Sequence, residues 1–219
     1  MSGAVVIGAG AGLGASVAGR FARAGLPVAL IARSPAVVDL AGALTRDGLT
    51  AVALQADSAD GSALRAALDA AVVAHGVPEV LVYNAAVIRL DSPGELDREQ
   101  QLRAWSVNVL GALEAATHLA PLMAEQGGGS VLITGGMPRP DARRTSLSLG
   151  KAGVRALTQL LDQQYGPLGI HVATVTVDCH MVRGTDSDPD LVAEHFWELH
   201  GQPRDLWQHE VVHKGSTPV

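Results

Sequence analysis

Short runs of β-branched and aliphatic residues alternate along this chain with longer segments rich in alanine, leucine and arginine. The first run, Ala4–Ile7, leads into a helical pattern over Leu13–Ala24, and a second run follows at Val28–Ala32. Parallel strands need crossover connections, most often helices, so this alternation is typical of βαβ units. We therefore expect an α/β fold with a doubly wound parallel sheet.

The same periodicities predict the remaining elements within one domain. A chain of 219 residues has the size of a single α/β core. We assign residues 1–214 to that domain and residues 215–219 to a loose tail. The further predicted strands are Thr50–Leu54, Val80–Val82, Ser130–Ile133, Val172–Val177 and a final segment Glu210–His213. The further predicted helices are Ser34–Asp47, Ser62–His75, Arg98–Glu125, Ser148–Tyr165 and Asp190–His200.

Composition and charge argue against several classes of partner. The net charge is −6 and the basic residues are scattered, so we expect no nucleic-acid partner, which would need a concentrated basic surface. No stretch approaches the roughly 18 apolar residues that span a bilayer, so no membrane insertion is expected. The single cysteine, Cys179, forms no intramolecular disulfide, and the chain starts without a basic, cleavable leader. Both features favour a cytoplasmic location.

A glycine-rich turn with the spacing G-x-x-x-G-x-G follows the first predicted strand. Glycines there let the backbone turn tightly and approach a pyrophosphate, whose charge is held by N–H groups at the start of the next helix. The alternative is that the glycines serve only to shape the turn. The place of this turn between a buried strand and an alanine-rich helix favours dinucleotide binding and a Rossmann-type fold. The residues predicted to contact the cofactor here are Gly8, Gly10, Gly12, Leu13 and Gly14.

From this turn to about Leu199 the chain resembles the short-chain dehydrogenase/reductase (SDR) family. Asp57 matches the family's adenine-contacting aspartate, and Tyr83-Asn84-Ala85-Ala86 is similar to its N-N-A-G element. Asn108 matches the asparagine of its fourth helix, and Lys151 matches its active-site lysine. The resemblance implies a nicotinamide cofactor and a homodimer or homotetramer formed through the two long helices. The residues that would hold the cofactor are Asp57, Ser58, Asn84, Ala85 and Lys151.

The end of the second predicted strand bears on the choice of coenzyme. NAD-preferring relatives place an acid there for the ribose hydroxyls, whereas this chain has Ala32 followed by Arg33 and Ser34. Arg33 can make charge-assisted hydrogen bonds to a 2′-phosphate, and Ser34 can add a neutral one. The alternative is a solvated arginine at a strand end. We expect NADP(H).

The chain departs from the SDR family at the proton-transfer position. The family's tyrosine stands four residues before the lysine, on the same helix face, and that position is Leu147 here. The family's serine corresponds to Thr134, whose hydroxyl either binds a substrate carbonyl or satisfies a strand-end backbone group. His180 lies on a loop expected near the nicotinamide and is either a replacement acid or a solvated histidine. The candidate catalytic residues are Thr134, Lys151, Asn108 and His180.

Other polar residues are weaker candidates for a catalytic or metal-binding role. Ser146 and Ser148 are poor acids and suit helix capping. His209 and His213 share one face at strand or helix spacing, but no H-E-x-x-H arrangement is present, and we predict no metal site.

We expect an atypical NADP(H)-dependent oxidoreductase acting on a small organic carbonyl, alcohol or unsaturated substrate. Loss of a general acid costs about 10²–10⁴-fold in rate, so two alternatives stay open. One is a redox-neutral isomerase or dehydratase, and the other is a non-catalytic, dinucleotide-dependent binding or regulatory protein. The sequence does not specify the substrate.

Overall fold

A computed structural model describes residues 2–216 of the chain, and these build a seven-stranded sheet in the order β3-β2-β1-β4-β5-β6-β7. Every neighbouring pair of strands is parallel. The strands are β1 Ala4–Ile7, β2 Val28–Ala32, β3 Ala51–Gln55, β4 Val80–Tyr83, β5 Gly129–Gly136, β6 Ile170–Val177 and β7 Glu210–His213. The strand order reverses direction between β1 and β4, which is the point where open α/β sheets bind ligands.

Helices cover both faces of this sheet. They are α1 Leu13–Arg23, α2 Val37–Arg46, α3 Gly61–His75, α4 Arg98–Trp105, α5 Gly111–Glu125, α6 Thr145–Tyr165 and α7 Pro189–His200. Side chains alternate between the two faces, so Val5 and Ile7 pack under α3, α5 and α6 while Val6 packs under α1, α2 and α7. The single-domain, doubly wound α/β fold expected from the sequence is confirmed.

Three predicted helices differ from the structure, and the first of them, α2, begins at Val37 instead of Ser34. Helix α6 begins at Thr145 instead of Ser148 because the buried Asp91 holds its first turn. The Asp91 carboxylate accepts hydrogen bonds from the Ser146 amide at 2.9 Å and the Ser146 hydroxyl at 2.8 Å. The predicted helix Arg98–Glu125 is divided by a π-helical turn at Ser106–Leu110.

The segment Arg98–Glu125 is long and apolar enough to span a membrane. However, 56% of its apolar stretch is buried inside the protein, as in a core helix.

The aromatic residues near the C-terminus pack against the body of the domain. Phe196 is fully buried, and the ring of Trp197 lies edge-on to Phe21 with 5.6 Å between centroids. Trp207 stacks on His171 at 4.8 Å. In the predicted tail, the Ser216 hydroxyl donates to the Asp186 carboxylate at 2.9 Å, and residues 217–219 lie outside the described part of the chain.

Candidate functional site

A cleft of about 630 Å³ opens at the carboxyl ends of β1, β2 and β4, where the strand order reverses. Eight of the residues predicted to contact a cofactor line it. These are Gly8, Gly10, Arg33, Ser34, Asp57, Ser58, Asn84 and Ala85. The resemblance in sequence and the strand topology therefore point to the same surface.

The glycines of the first turn divide into two groups. Gly8 has φ +84°, and a side-chain carbon there would lie 2.7 Å from the Cα of Ala85. One at Gly14 would lie 2.8 Å from the Cα of Ala9. A side-chain carbon at Gly10 or Gly12 would have no protein atom within 4 Å among the described residues. The chain's own packing thus explains Gly8 and Gly14, whereas Gly10 and Gly12 leave open space for a ligand.

The side chain of Leu13 and the backbone of Gly14 do not face the cleft. Leu13 is the first residue of α1 and its side chain is buried in the core, while Gly12 is the N-cap of that helix. Leu13 and Gly14 therefore contribute to the shape of the turn through their packing, and the exposed residue at this helix N-terminus is Gly12.

A chain of hydrogen bonds joins the ends of three neighbouring strands below the cleft. The Thr134 hydroxyl, on β5, donates to the Asn84 side-chain oxygen at 2.9 Å. The Asn84 amide group donates to the Gly8 carbonyl at 2.9 Å. These bonds hold Thr134 beside a residue that lines the cleft, although Thr134 itself does not line it.

Asn108 lies in the π-helical turn after α4 and is almost fully buried. Its side-chain oxygen accepts a 2.8 Å hydrogen bond from the amide of Val87, a cleft residue. Its amide nitrogen has no hydrogen-bond partner among the described residues. Tyr83 donates its hydroxyl to the Val107 carbonyl within the same turn. Asn108 thus positions the segment after β4, while both N–H donors of its side-chain amide are without a partner among the described residues.

Lys151 is buried on α6, and its ammonium donates to the Thr134 carbonyl at 2.6 Å. Burial, reinforced by the nearby positive charge of Arg155, lowers the pKa of Lys151 to about 8. One turn earlier on the same face, Leu147 is also buried and offers no polar group. Ser146 and Ser148 do not replace it, because their hydroxyls bind Asp91 and Asp141.

Three arginines line the cleft, and sequence analysis identified only Arg33. Arg89 follows β4, and Arg103 projects from α4 to the Asp57 carboxylate at 2.9 Å. A backbone hydrogen bond from Ala59, with smaller effects of Arg103 and Arg33, lowers the pKa of Asp57. The missed signal is the spacing of Gln100, Arg103, Ala104 and Val107, which places all four on one helix face.

The remaining predicted residues lie elsewhere. His180 is exposed in the loop after β6, and its side chain makes no hydrogen bond within residues 2–216. His213 contacts the His195 ring at 3.1 Å and not His209. Across the described chain, no group of three or more His, Cys, Asp or Glu side chains is placed to hold a metal ion.

The fold and this cleft define a class, the dinucleotide-binding α/β oxidoreductases. The family model described as short chain dehydrogenase matches residues 2–193. The chain belongs to the short-chain dehydrogenase/reductase family, whose members bind a nicotinamide dinucleotide. The site fits that group, because Gly10 and Gly12 leave room at a helix N-terminus and the cleft carries three guanidinium groups against one carboxylate.

Individual relatives agree with this assignment. An uncharacterized oxidoreductase of Methylorubrum extorquens is 32% identical over 215 residues, which cover 93% of this chain and 86% of the relative. A cis-4-hydroxycyclohexanecarboxylate dehydrogenase of Sinomonas cyclohexanicum is 31% identical over 193 residues, with 84% and 77% covered. The crystal structure of a short-chain dehydrogenase from Rhodopseudomonas palustris superposes with a TM-score of 0.88 at 26% identity, covering 97% and 98%.

The two groups of glycines predict different effects of alanine. Gly14→Ala forces a carbon against the Gly8 turn and is expected to lower the melting temperature by several degrees. Gly10→Ala is expected to leave it unchanged while weakening dinucleotide binding at least tenfold. Thermal denaturation and titration calorimetry measure the two effects. Equal melting temperatures for both variants would contradict the assignment of Gly14 to packing and of Gly10 to ligand binding.

The pKa of Lys151 predicts how stability depends on pH. Between about pH 8, where the folded chain releases this proton, and about pH 10, the unfolded chain binds more protons at this site, so the free energy of unfolding rises with pH. Above about pH 10 the raised pKa of the buried Tyr83 acts in the opposite direction. Urea denaturation at pH 7.5 and 9.5 should show the rise in the native protein, and Lys151→Met should reduce it.

The matched control for that measurement is Lys214→Met, because Lys214 is the other lysine of the chain and is exposed. In this variant the free energy of unfolding should still rise between pH 7.5 and 9.5. A rise that persists equally in Lys151→Met would show that another group causes it.

Proposed function

We propose that this protein is an NADP(H)-dependent oxidoreductase that transfers hydride between the nicotinamide and a small organic carbonyl, alcohol or unsaturated substrate. The observation that carries the proposal is a cleft at the strand reversal that is lined by an open glycine turn and three arginines. The Thr134–Lys151 pair lies outside the cleft lining and is connected to it through the hydrogen bond from Thr134 to the cleft residue Asn84. The relative that oxidises a hydroxycyclohexane carboxylate supports chemistry at a carbon–oxygen bond.

Preference for the phosphorylated coenzyme is supported by the end of β2. Ala32 supplies no acceptor for ribose hydroxyls, and the exposed Arg33 lines the cleft next to it. The Ser34 hydroxyl accepts a 3.3 Å hydrogen bond from the Ala36 amide, which leaves its proton available as a donor. A guanidinium and a hydroxyl at this point suit a phosphate dianion.

The cofactor would supply or accept the hydride. In the proposal, Gly8, Gly10 and the first turn of α1 hold its pyrophosphate, and Lys151 holds the nicotinamide ribose. The Thr134 hydroxyl donates its proton to Asn84, so in this arrangement it accepts a hydrogen bond from a substrate alcohol, and it turns from Asn84 to donate to a substrate carbonyl. Asn108 keeps the β4 loop in place through Val87. His180 is retained as a candidate acid from the loop after β6.

Protonation of the substrate oxygen is the step in which this site differs from that of the resembling family. Leu147 stands where the resembling family has its tyrosine, and a buried hydrocarbon side chain has no proton to donate. A redox-neutral reaction, in which the cofactor is a structural part, is the second candidate function because it requires no such acid. A solvent-borne or His180-borne proton keeps the first candidate possible.

Assembly as a homodimer or homotetramer in the cytoplasm belongs to the same proposal. Apolar side chains stay exposed along the helices that the resemblance assigns to the interface, among them Leu113 on α5 and Leu149 and Leu160 on α6. Exposed leucines on neighbouring long helices suit a subunit contact.

Restoring the family residue tests the proposed chemistry. Leu147→Tyr should raise the rate of NADPH oxidation with a panel of small carbonyls about 10²-fold or more, because a phenol is placed one turn from Lys151. Absorbance of the nicotinamide measures turnover, and Leu147→Phe is the control for ring size. Substrate conversion without an absorbance change would favour the redox-neutral candidate.

Arg33 tests the coenzyme assignment. Arg33→Ala should weaken NADPH binding about 10- to 100-fold, the magnitude of a lost charge-assisted hydrogen bond, and leave NADH nearly unaffected. Calorimetric titration with each coenzyme measures this. Equal weakening of both would refute the role of Arg33, and absence of binding by the native protein at millimolar coenzyme would refute the proposed function.

A further inference from the structure

Asp57 lies between two arginines at one end of the cleft. Strands β2 and β3 are neighbours, with Ala32 paired to Gln55, so Arg33 and Asp57 follow adjacent strand ends. The Arg33 carbonyl accepts a 3.0 Å hydrogen bond from the Gln55 side chain, which ties the two ends together. From the other side, Arg103 of α4 brings its Nη2 to 2.9 Å from Asp57 Oδ2.

The negative charge of the Asp57 carboxylate disfavours phosphate binding beside it. An anionic Asp57 repels a phosphate dianion held by Arg33, and it also offers Arg33 an alternative partner within the protein. Its side chain is 29% exposed, so solvent screens it only in part. The Ala59 amide holds Asp57 Oδ1 at 3.0 Å, which prevents the carboxylate from turning away.

We propose that Arg103 is a specificity-determining positioning residue, which neutralises Asp57 and thereby leaves Arg33 free to bind the 2′-phosphate of NADP(H). The inference rests on the proposed coenzyme preference. It assigns to α4, on the far side of the cleft from β2, a role in selecting the phosphorylated coenzyme. Arg103 acts through Asp57 and needs no contact with the phosphate.

Both partners of the ion pair between Asp57 and Arg103 are charged near neutral pH. The Ala59 hydrogen bond and the two neighbouring arginines hold the pKa of Asp57 below its ordinary value, so the carboxylate is charged and needs a partner. Asp57 is the single acidic residue that lines the cleft, and Arg103 is the guanidinium bonded to it. Removing Arg103 leaves Arg33 as the nearest remaining cation from the adjacent strand end.

The experiment measures dissociation constants for NADPH and NADH on the full chain and compares their ratio between variants. Arg103→Gln should lower the preference for NADPH about tenfold, because Arg33 is drawn to Asp57 and NADPH loses affinity while NADH does not. The double variant with Asp57→Asn should return the preference to that of Asp57→Asn alone, because the carboxylate that captures Arg33 is gone. A merely structural role of Arg103 would produce no such second-site rescue.

Arg98→Gln is the matched control, since Arg98 begins the same helix, is exposed and lies outside the cleft. It removes the same charge and should leave the ratio unchanged. The proposal is overturned if Arg103→Gln changes the ratio less than twofold, if neutralising Asp57 fails to restore it, or if Arg98→Gln lowers it equally. If Arg33→Ala weakens both coenzymes alike, the coenzyme assignment itself fails, and this inference fails with it.

Discussion

The close approach of the first turn to the end of β4 is the constraint on which the site depends. Gly8 packs so tightly against Ala85 that no side chain fits, and the Asn84 amide group donates to the Gly8 carbonyl. Because Thr134 donates to the same asparagine, the ends of β1, β4 and β5 are held in one hydrogen-bonded unit. The cleft and the candidate catalytic groups therefore have a fixed relation to each other.

Charge is distributed unequally between the two parts of the site. The cleft exposes three guanidinium groups and one carboxylate, as expected of a surface that receives a phosphorylated anion. Behind it, the buried Lys151 binds the Thr134 carbonyl, and the buried Leu147 lies one turn earlier on the same helix. The molecule thus has polar features that suit nucleotide binding, while the helix position one turn before Lys151 carries a hydrocarbon side chain, Leu147.

Most of the fold followed from local patterns, and several boundaries did not. Local patterns predicted the order of elements because strands buried on both faces are short continuous apolar runs, whereas helices on the sheet repeat apolar residues with a period of 3.6. The start of α6 depended on Asp91, which lies 55 residues from Ser146 in sequence, and local propensity contains no information about that contact. For Arg103 the local spacing was available, but its pairing with Asp57, 46 residues away, was not.

The sequence by itself determined the α/β class, the glycine turn, eight of the residues that line the cleft and the presence of leucine at position 147. Each of these is expressed in residue type and short-range spacing. Only the tertiary structure decided that Gly14 serves packing whereas Gly10 borders open space, that Lys151 is buried against the Thr134 carbonyl, and that Asp57 lies between two arginines. Those facts depend on distances between chain segments far apart in sequence, which arise when the sheet and helices pack together.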